Sequence, residues 1–441
     1  MKLRLAAALL AAAPLAATAE DLSQVYRDAQ GYDAQYAAAR QSSLAGQEFT
    51  AQGRALLLPS LNLTANATRS NLDSESDNPA QQSSFDRTVD TYGYALTFTQ
   101  PLYRHQNWLQ SDQGELQAKQ AELQLEQAKQ DLILRTAQAY FDVLAAKDTL
   151  TLVRSQKAAI AEQLAQAKRN FEVGTATITD THEAQARYDL SGSQEITAEN
   201  EIEAKQRALQ LITGKEYADL RPLRTDIKVS PPEPREMQSW VSLADKQNYS
   251  VMVQEATVEI ARLEAKRQDA GHEPTLDFVA SHSYASQTGS QFSGIGSSIT
   301  NDSVSLQFAL PLYQGGGISS KARQAAYNLE KSRSELDNAK RTAALVTRQA
   351  YLLVINGIAQ VGALEQALVS SESALQSNRL GYEVGVRINI DVLNAQQQVF
   401  STRRDLALAR YNTITSQLRL KAAAGALREE DIAAVNRALV P

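Results

Sequence analysis

Residue types that often carry chemistry are scarce in this sequence and stand far apart. Its 441 residues include no cysteine, which excludes disulfides, thiolate zinc sites, a thiol nucleophile and a lipid anchor on an N-terminal cysteine. Of its four histidines, no two stand at a metal-ligand spacing on a helix. Histidine, serine and carboxylate residues also fail to form a spacing typical of a catalytic site. We therefore predict no enzyme activity, no cofactor and no metal site.

Nucleotides and nucleic acids are disfavoured as ligands. Three glycines, Gly315 to Gly317, stand between a predicted strand and a predicted helix, as in a phosphate-binding loop. The segment lacks the βαβ context and the later acidic residue of a nucleotide site, so we interpret it as a strand-to-helix bend. The net charge of -6 and the pI of about 5.5 disfavour a nucleic-acid partner on electrostatic grounds.

Two acidic residues stand in a motif that occurs twice. The segment FEVGTATITD, residues 171–180, matches YEVGVRINID, residues 382–391, at an offset of 211 residues. Asp180 begins a D-x-x-E pattern that ends at Glu183 and fits a helix capping box, and Asp391 also precedes a predicted helix. Helix capping is therefore one interpretation of both aspartates, and for Asp180 it is compatible with a second role.

The elements that must position these motifs are duplicated as well. Tyr140 and Tyr351 share the same offset inside AQAYFDVL and RQAYLLVI, as do Gly214 and Gly425 at the ends of two predicted helices. We interpret the chain as a duplication of about 200 residues. The predicted organisation is a signal peptide over residues 1–19, a first structural repeat over 20–220, a linker over 221–235, a second repeat over 236–425 and a C-terminal segment over 426–441.

The first residues form a targeting segment. Lys2 and Arg4 precede an apolar stretch over residues 5–16, and residues 17–19 form a small-x-small cleavage site. We predict cleavage before Glu20 and export of the mature chain. An uncleaved membrane anchor is the alternative.

Long helices dominate the predicted structure. Residues 102–221 and 312–440 contain no proline and are rich in Ala, Gln, Leu, Glu, Lys and Arg. One helix is predicted over residues 106–172, with Gly114 as its only interruption and a length of about 100 Å at about 1.5 Å per residue. Apolar residues recur along it every seven residues, which favours supercoiling against neighbouring helices. The most apolar later run, residues 351–364, is shorter than the roughly 20 residues of a membrane helix.

Four segments alternate apolar and polar residues with the period of a β-strand, and long polar loops connect them in pairs. The loops are predicted over residues 70–90 and 285–302. This pattern is typical of outer-membrane strands, with half-buried hairpins of a soluble domain as the alternative. Because four strands cannot close a barrel in lipid, two or three chains would have to share one barrel of eight or twelve strands. The strands are predicted around residues 61–68, 92–99, 276–281 and 303–310.

The motifs and their order resemble the TolC family of trimeric outer-membrane channels. The resemblance covers Glu20 to about Leu439 and rests on LLLPSLNL, TQPLY, AYFDVL, KRNFEVGTATITD, LPLYQGG, GYEVGVRINIDVLNAQ and ARYN. It implies a mainly α fold with a membrane β-barrel, in which a homotrimer shares one twelve-stranded barrel and forms an α-helical tunnel through the periplasm. It also implies a mixed equatorial region, which the linker 221–235 and the C-terminal segment 426–441 help to build.

The resemblance implies a gate at the periplasmic ends of the helices, where the two repeated motifs lie. Thr179 and Asp180 come from the first helix tip, and Tyr382, Arg387 and Asp391 come from the second. By this resemblance Asp180 accepts a hydrogen bond from Tyr382 and pairs with Arg387, and these contacts latch the inner helices shut. Asp391 would point into the pore, where threefold symmetry would make it an acidic ring.

The counterparts of Tyr382 and Arg387 in the first motif favour a special role for Arg387 and leave an alternative for Tyr382. Tyr382 has Phe171 as its counterpart, so a core aromatic is the alternative for it. Arg387 has Ala176 as its counterpart, and this asymmetry favours a special role. Asn394 stands where the family pattern has a second acidic residue, so the ring would be single. We expect weaker cation selectivity and weaker block by multivalent cations than in a relative with two rings.

These features together predict a passive exit duct in the outer membrane of a Gram-negative cell, extending into the periplasm. The resemblance implies a periplasmic adaptor (a membrane fusion protein) and an inner-membrane transporter of the RND, ABC or MFS type as partners. It leaves multidrug efflux and type I secretion both open, and it implies iris-like opening of the periplasmic helices. The alternative is a periplasmic coiled-coil adaptor or scaffold, which would lack the four amphipathic strands.

Overall fold

The structure, a computed structural model, describes residues 20–74, 85–224, 230–289 and 295–440. The predicted signal peptide, linker residues 225–229 and Pro441 lie outside the described residues. The elements are α1 (Leu22–Tyr32), α2 (Ala34–Ala55), β1 (Ser60–Ser74), β2 (Phe85–Tyr103), α3 (His105–Glu172), α4 (Ile178–Thr213), α5 (Met237–Gln247), α6 (Tyr249–Asp269), β3 (Thr275–Gln287), β4 (Ser297–Ala309), α7 (Gly317–Glu383), α8 (Asn389–Ala423) and α9 (Glu429–Asn436).

The two longest helices follow the proline-free segments of the sequence. α3 contains 68 residues and matches the predicted helix within one residue, and α7 contains 67. Among the described helices, α7 alone contains an 18-residue window that could cross a membrane by length and composition, with a mean hydropathy of 1.5. Only 11% of that window is buried in the single chain, so most of it is an exposed apolar helix surface.

The chain divides into two compact units. The first contains residues up to 40, residues 125–251 and residues from 340 onwards. The second contains residues 41–124 and 252–339.

The core of the first unit surrounds the middle of α3. Tyr140 and Phe141 are almost fully buried there and pack with residues of α1, α4 and α8. The Tyr140 hydroxyl donates to the carbonyl oxygen of Arg221 at 2.8 Å. Its counterpart in the repeat, Tyr351, donates to the carbonyl oxygen of Arg235. Equivalent tyrosines of the two repeats therefore hold the two ends of the predicted linker.

The second unit contains one antiparallel sheet with the strand order β1-β2-β3-β4, so that β1 and β4 form its edges. Residues directly opposite each other on paired strands share a face of the sheet. The pairing therefore separates a mainly apolar face, which also carries the ion pair of His282 with Asp302, from a polar face. The apolar face contains Leu61, Leu63, Ala65, Ala67, Tyr92, Tyr94, Leu96, Phe98, Phe278, Ala280, Tyr284, Val304, Leu306 and Phe308.

The polar face is built mainly from small uncharged side chains, with Val279 and Ile299 among them. Its members include Ser60, Asn62, Thr64, Asn66, Thr91, Thr97, Thr99, Ser281, Ser283, Asn301, Ser303, Ser305 and Gln307. Asp277 near one end of this face pairs with Arg104, and Arg87 stands near the other end. Between Asp277 and Arg87, the described residues of the polar face carry no charged side chain.

The strands are longer than the sequence predicted, and the connecting loops are shorter. All four strands extend several residues into the segments predicted as loops over 70–90 and 285–302. Polar cross-strand pairs continue the ladder there, such as Arg69, whose guanidinium donates to both Asp90 carboxylate oxygens at 2.6 and 2.8 Å. The predicted loop boundaries were therefore wrong, because polar residues beyond the apolar band also pair across strands.

Gly114 lies inside α3 without interrupting it. A Cβ atom at this position would overlap the carbonyl oxygen of Phe49, which belongs to α2. Gly46 of α2 faces Ala121 of α3 with similarly little space. Small residues at these positions therefore let the two helix backbones approach closely.

We expect Gly114→Ala to destabilise the protein by about 1–3 kcal/mol, because the added methyl group must displace the α2 backbone. Gly192→Ala is the matched control, since a Cβ atom at this position of α4 meets nothing within 4 Å. That control should stabilise by about 0.5–1 kcal/mol through helix propensity. Denaturant unfolding followed by circular dichroism in detergent measures both changes. Equal effects of the two substitutions would contradict the close approach.

Candidate functional site at the helix tips

The two repeated motifs form the same backbone turn twice. At the first tip the carbonyl oxygen of Asn170 accepts from the amides of Thr175 and Ala176 at 2.8 and 3.2 Å. At the second tip the carbonyl oxygen of Gly381 accepts from the amides of Val386 and Arg387 at 2.9 and 3.1 Å. Each turn contains a glycine with positive φ, 75° in the first and 80° in the second, a conformation that other residues rarely adopt. The sequence repeat is thus also a repeat of backbone geometry.

Asp180 belongs to a capping box, but not to the one predicted. Thr177 is the N-cap of α4, and its hydroxyl accepts from the Asp180 amide at 3.3 Å. The Asp180 carboxylate in turn accepts from the Thr177 amide and hydroxyl at 3.0 and 2.8 Å. The predicted D-x-x-E box to Glu183 was therefore wrong by one turn. Asp391 lies in the first turn of α8, where Ile388 is the N-cap, so the predicted capping role of Asp391 was wrong too.

The remaining predicted residues lie on the second tip and around it. The Tyr382 hydroxyl accepts from the side-chain amide of Asn170 at 3.1 Å, which joins α7 to the end of α3. Arg387 lies just before α8, and its Nη1 atom is 3.6 Å from a carboxylate oxygen of Asp391 in the first turn of α8. Thr179 is exposed in the first turn of α4. The single chain thus brings Arg387 and Asp391 together, and the latch between Asp180, Tyr382 and Arg387 stays a prediction.

A contact between α4 and α8 fixes the first tip against the second. Ala184 and Leu393 are buried in a cluster with residues of α3, and Tyr188 packs against it. Beside this cluster Arg187 Nη2 donates to the side-chain oxygen of Asn394 at 2.8 Å. Asn394, predicted as the substitute for a second acidic ring, is therefore the acceptor of a guanidinium.

Ion pairs hold the two helices of the first hairpin together beyond the tip. Arg154 of α3 contacts Glu195 and Glu199 of α4 at 3.0 and 2.6 Å, and Lys157 contacts Glu195 at 2.7 Å. Hydrogen bonds from Lys157 and Arg154 hold the pKa of Glu195 below its ordinary value. The carboxylate therefore stays ionised, and the hairpin keeps its charge pairing at neutral pH.

Sequence reasoning missed Asn170 and Arg187. Asn170 directly precedes the first motif, and its counterpart in the second repeat is Gly381, so the repeat did not mark it. Arg187 lies two turns beyond Asp180 and has no distinctive spacing. Their partners lie more than 200 residues away in the chain. Only the packing of the helices brings these residues together.

Comparison with known proteins identifies the family. The family model described as outer membrane efflux protein matches residues 11–215 and 240–426 of this chain.

The chain belongs to the outer membrane efflux protein family.

Similar proteins extend over almost the whole chain. The outer membrane protein TolC of Vibrio cholerae serotype O1 is 34% identical over 425 residues, which cover 96% of this chain and 94% of the relative. The proteases secretion protein PrtF of Dickeya chrysanthemi is 34% identical over 403 residues, covering 91% and 87%. The crystal structure of the outer membrane protein VceC of Vibrio cholerae matches with a TM-score of 0.76 at 18% identity, covering 92% of this chain and 96% of that one. This last likeness shows a shared fold.

Membership in the outer membrane efflux protein family confirms two predictions from the sequence. The protein is located in the outer membrane of a Gram-negative cell, and it is an exit duct. The periplasmic adaptor or scaffold, kept as the alternative, is not favoured. The relatives are named as outer membrane and secretion proteins and not as enzymes.

Proposed function

We propose that three copies of this chain form one exit duct, with a shared twelve-stranded barrel and a gate at the helix tips. The duct would serve a tripartite efflux pump, a type I secretion system or both. It would be passive, and a partner pump would supply the energy. Opening would be an iris-like movement of the inner helices after release of the contacts between Asp180, Tyr382 and Arg387.

The two open edges of the sheet carry the proposal. β1 and β4 each pair on one side only. In lipid the unpaired backbone groups of an edge have no water to bind, so an open four-stranded sheet cannot remain there. Pairing β4 of one copy with β1 of the next removes every edge. Three copies give twelve strands, within the range of known outer-membrane barrels.

The exposed surface of α7 supports association of copies in the helical part. Within the single chain α7 buries only a narrow seam, which includes Ala343, Thr347 and Val354. Leu345 and Leu352 remain more than half exposed. A continuous exposed apolar surface of this kind is typical of a contact with another protein surface. Neighbouring helices of the trimer would cover it.

The partners would dock at the tips. Val173 on the first turn and Val384 and Val386 on the second are each at least 65% exposed. Apolar side chains presented on a turn are available to a periplasmic adaptor, which would link the duct to an RND, ABC or MFS transporter of the inner membrane. One relative is named outer membrane protein TolC and another proteases secretion protein PrtF. We extend location in the outer membrane and a role in secretion to this chain.

The latch needs two donors at the tips, Tyr382 and Arg387, and the Asp180 carboxylate as their acceptor. The Tyr382 hydroxyl accepts from Asn170, which leaves its own proton free to donate to a carboxylate such as Asp180. Arg387 has five donors and meets Asp391 at 3.6 Å, so its fork can also reach a second carboxylate. Asp391 would line the narrowest part of the pore as a ring of three.

Single-channel recording of the purified protein in a planar bilayer tests the proposal. We expect discrete channels of small conductance, and chemical cross-linking in detergent should give a trimer as the largest product. Folded protein that forms no channel would overturn the exit duct. Extraction without detergent would instead support the adaptor or scaffold, since a protein of that class without a lipid anchor is water-soluble.

A further inference from the structure

The contact between Arg187 and Asn394 places a positive charge close to the proposed acidic ring. Arg187 lies on α4 between the buried Ala184 and the packed Tyr188, and its Nη2 atom is 2.8 Å from the Asn394 side-chain oxygen. The neighbouring Leu393 is also buried in this contact. Both ends of the hydrogen bond therefore sit on packed helices, and the guanidinium has a defined position.

One arginine lies beside Asp391, and a second contacts the residue about one helical turn further along α8. Asn394 follows Asp391 by three residues on α8, so the two side chains lie on one face of the helix. Arg187 approaches that face through Asn394, and Arg387 approaches Asp391 from the preceding turn at 3.6 Å. One guanidinium therefore lies beside the Asp391 carboxylate, and the second lies beside Asn394 on the same face of α8.

The positive charge of Arg187 is not neutralised by an ion pair with a carboxylate of the described residues. Its hydrogen-bond acceptor, Asn394, is neutral, and among the described residues no ion pair joins Arg187 to a carboxylate. The Asp391 carboxylate, in contrast, already has Arg387 beside it. Arg187 and Arg387 thus bring two guanidinium groups to the part of α8 that carries the single carboxylate of Asp391.

We propose that Arg187 sets the ion selectivity of the gate by compensating the Asp391 ring. The inference rests on the proposed position of Asp391 in the pore. In three copies, three Arg187 guanidinium groups would stand next to three carboxylates and lower the negative potential that attracts cations. The gate would then admit anionic solutes that a bare carboxylate ring repels. This goes beyond the loss of a second acidic ring, because it adds a charge of the opposite sign.

Reversal potentials in a potassium chloride gradient test the proposal. Arg187→Gln removes the charge and keeps an amide donor for Asn394, so the permeability ratio of potassium over chloride should rise severalfold. Arg187→Lys keeps the charge and should leave the ratio near the wild-type value. Arg207→Gln is the matched control: it removes the same charge from an exposed position near the other end of α4, and the ratio should not change.

Two results would overturn the role of Arg187. One is a ratio unchanged by Arg187→Gln in channels of normal conductance. The other is an equal shift for the Gln and Lys variants, which would make Arg187 a structural link and not a source of charge. Absence of any channel in the wild-type protein would contradict the exit duct itself, so failure of the two proposals can be distinguished.

Discussion

Leu306→Arg is expected to prevent most of the protein from assembling in the membrane, whereas Ser305→Arg is expected to leave assembly nearly unchanged. The two residues are neighbours on β4 and lie on opposite faces of the sheet. Leu306 lies on the apolar face opposite Phe278, in the middle of the β4 apolar residues, and is 66% exposed in the single chain. A charged arginine near the bilayer midplane costs about 2–4 kcal/mol per strand. In a trimer this cost applies in each copy.

The yield of folded trimer in membranes measures the difference. Ser305→Arg controls for the size and charge of the new side chain, because the polar face is expected to face the water-filled lumen. That variant should assemble but alter conductance, since it adds a charge to an uncharged wall. Similar yields for the two variants would contradict the assignment of the apolar face to lipid.

The double variant Tyr382→Phe with Arg387→Ser is expected to raise single-channel conductance severalfold. The first change removes the hydroxyl that would donate to Asp180, and the second removes the guanidinium beside Asp391. With both donors lost, the helix tips are free to move apart. Planar-bilayer recording of wild type and variant under the same conditions gives the result directly.

Tyr327→Phe with Arg323→Ser is the matched control. It makes the same two changes on α7 at exposed positions outside the tips and should leave conductance unchanged. Asn170→Ala tests one hydrogen bond of Tyr382 alone and should give a smaller increase than the double variant. Conductance of the double variant equal to wild type would leave the duct in place and remove the gate from these residues.

The sequence predicted helix α3 almost to the residue, because the absence of proline and the seven-residue apolar repeat are properties of the segment itself. Strand ends were harder to predict. The apolar alternation stops near Ala67, but pairs such as Arg69 with Asp90 depend on a neighbouring strand that the sequence does not specify. The strands therefore continue where the single-strand signal ends.

The site was predicted unevenly for the same reason. The tip turns follow from local motifs, and the structure forms them twice. The cap at Thr177 was missed because a T-x-x-D box and a D-x-x-E box overlap in the same segment. The contacts of Asn170 and Arg187 depend on how hairpins distant in the chain pack together, which no spacing in the sequence expresses.

The polar face of the sheet affects how strongly a solute is held while it passes through the proposed duct. Its hydroxyl and amide groups offer a solute hydrogen bonds much like those of water, and from Asp277 to Arg87 they hold no fixed charge. In the proposed barrel this face would line the lumen, and a cargo crossing it would meet neither fixed charges nor an aromatic surface. Its residence time there should therefore be short for cations, anions and neutral molecules alike. A wall of this kind suits an exporter that discharges chemically unrelated cargoes in one direction.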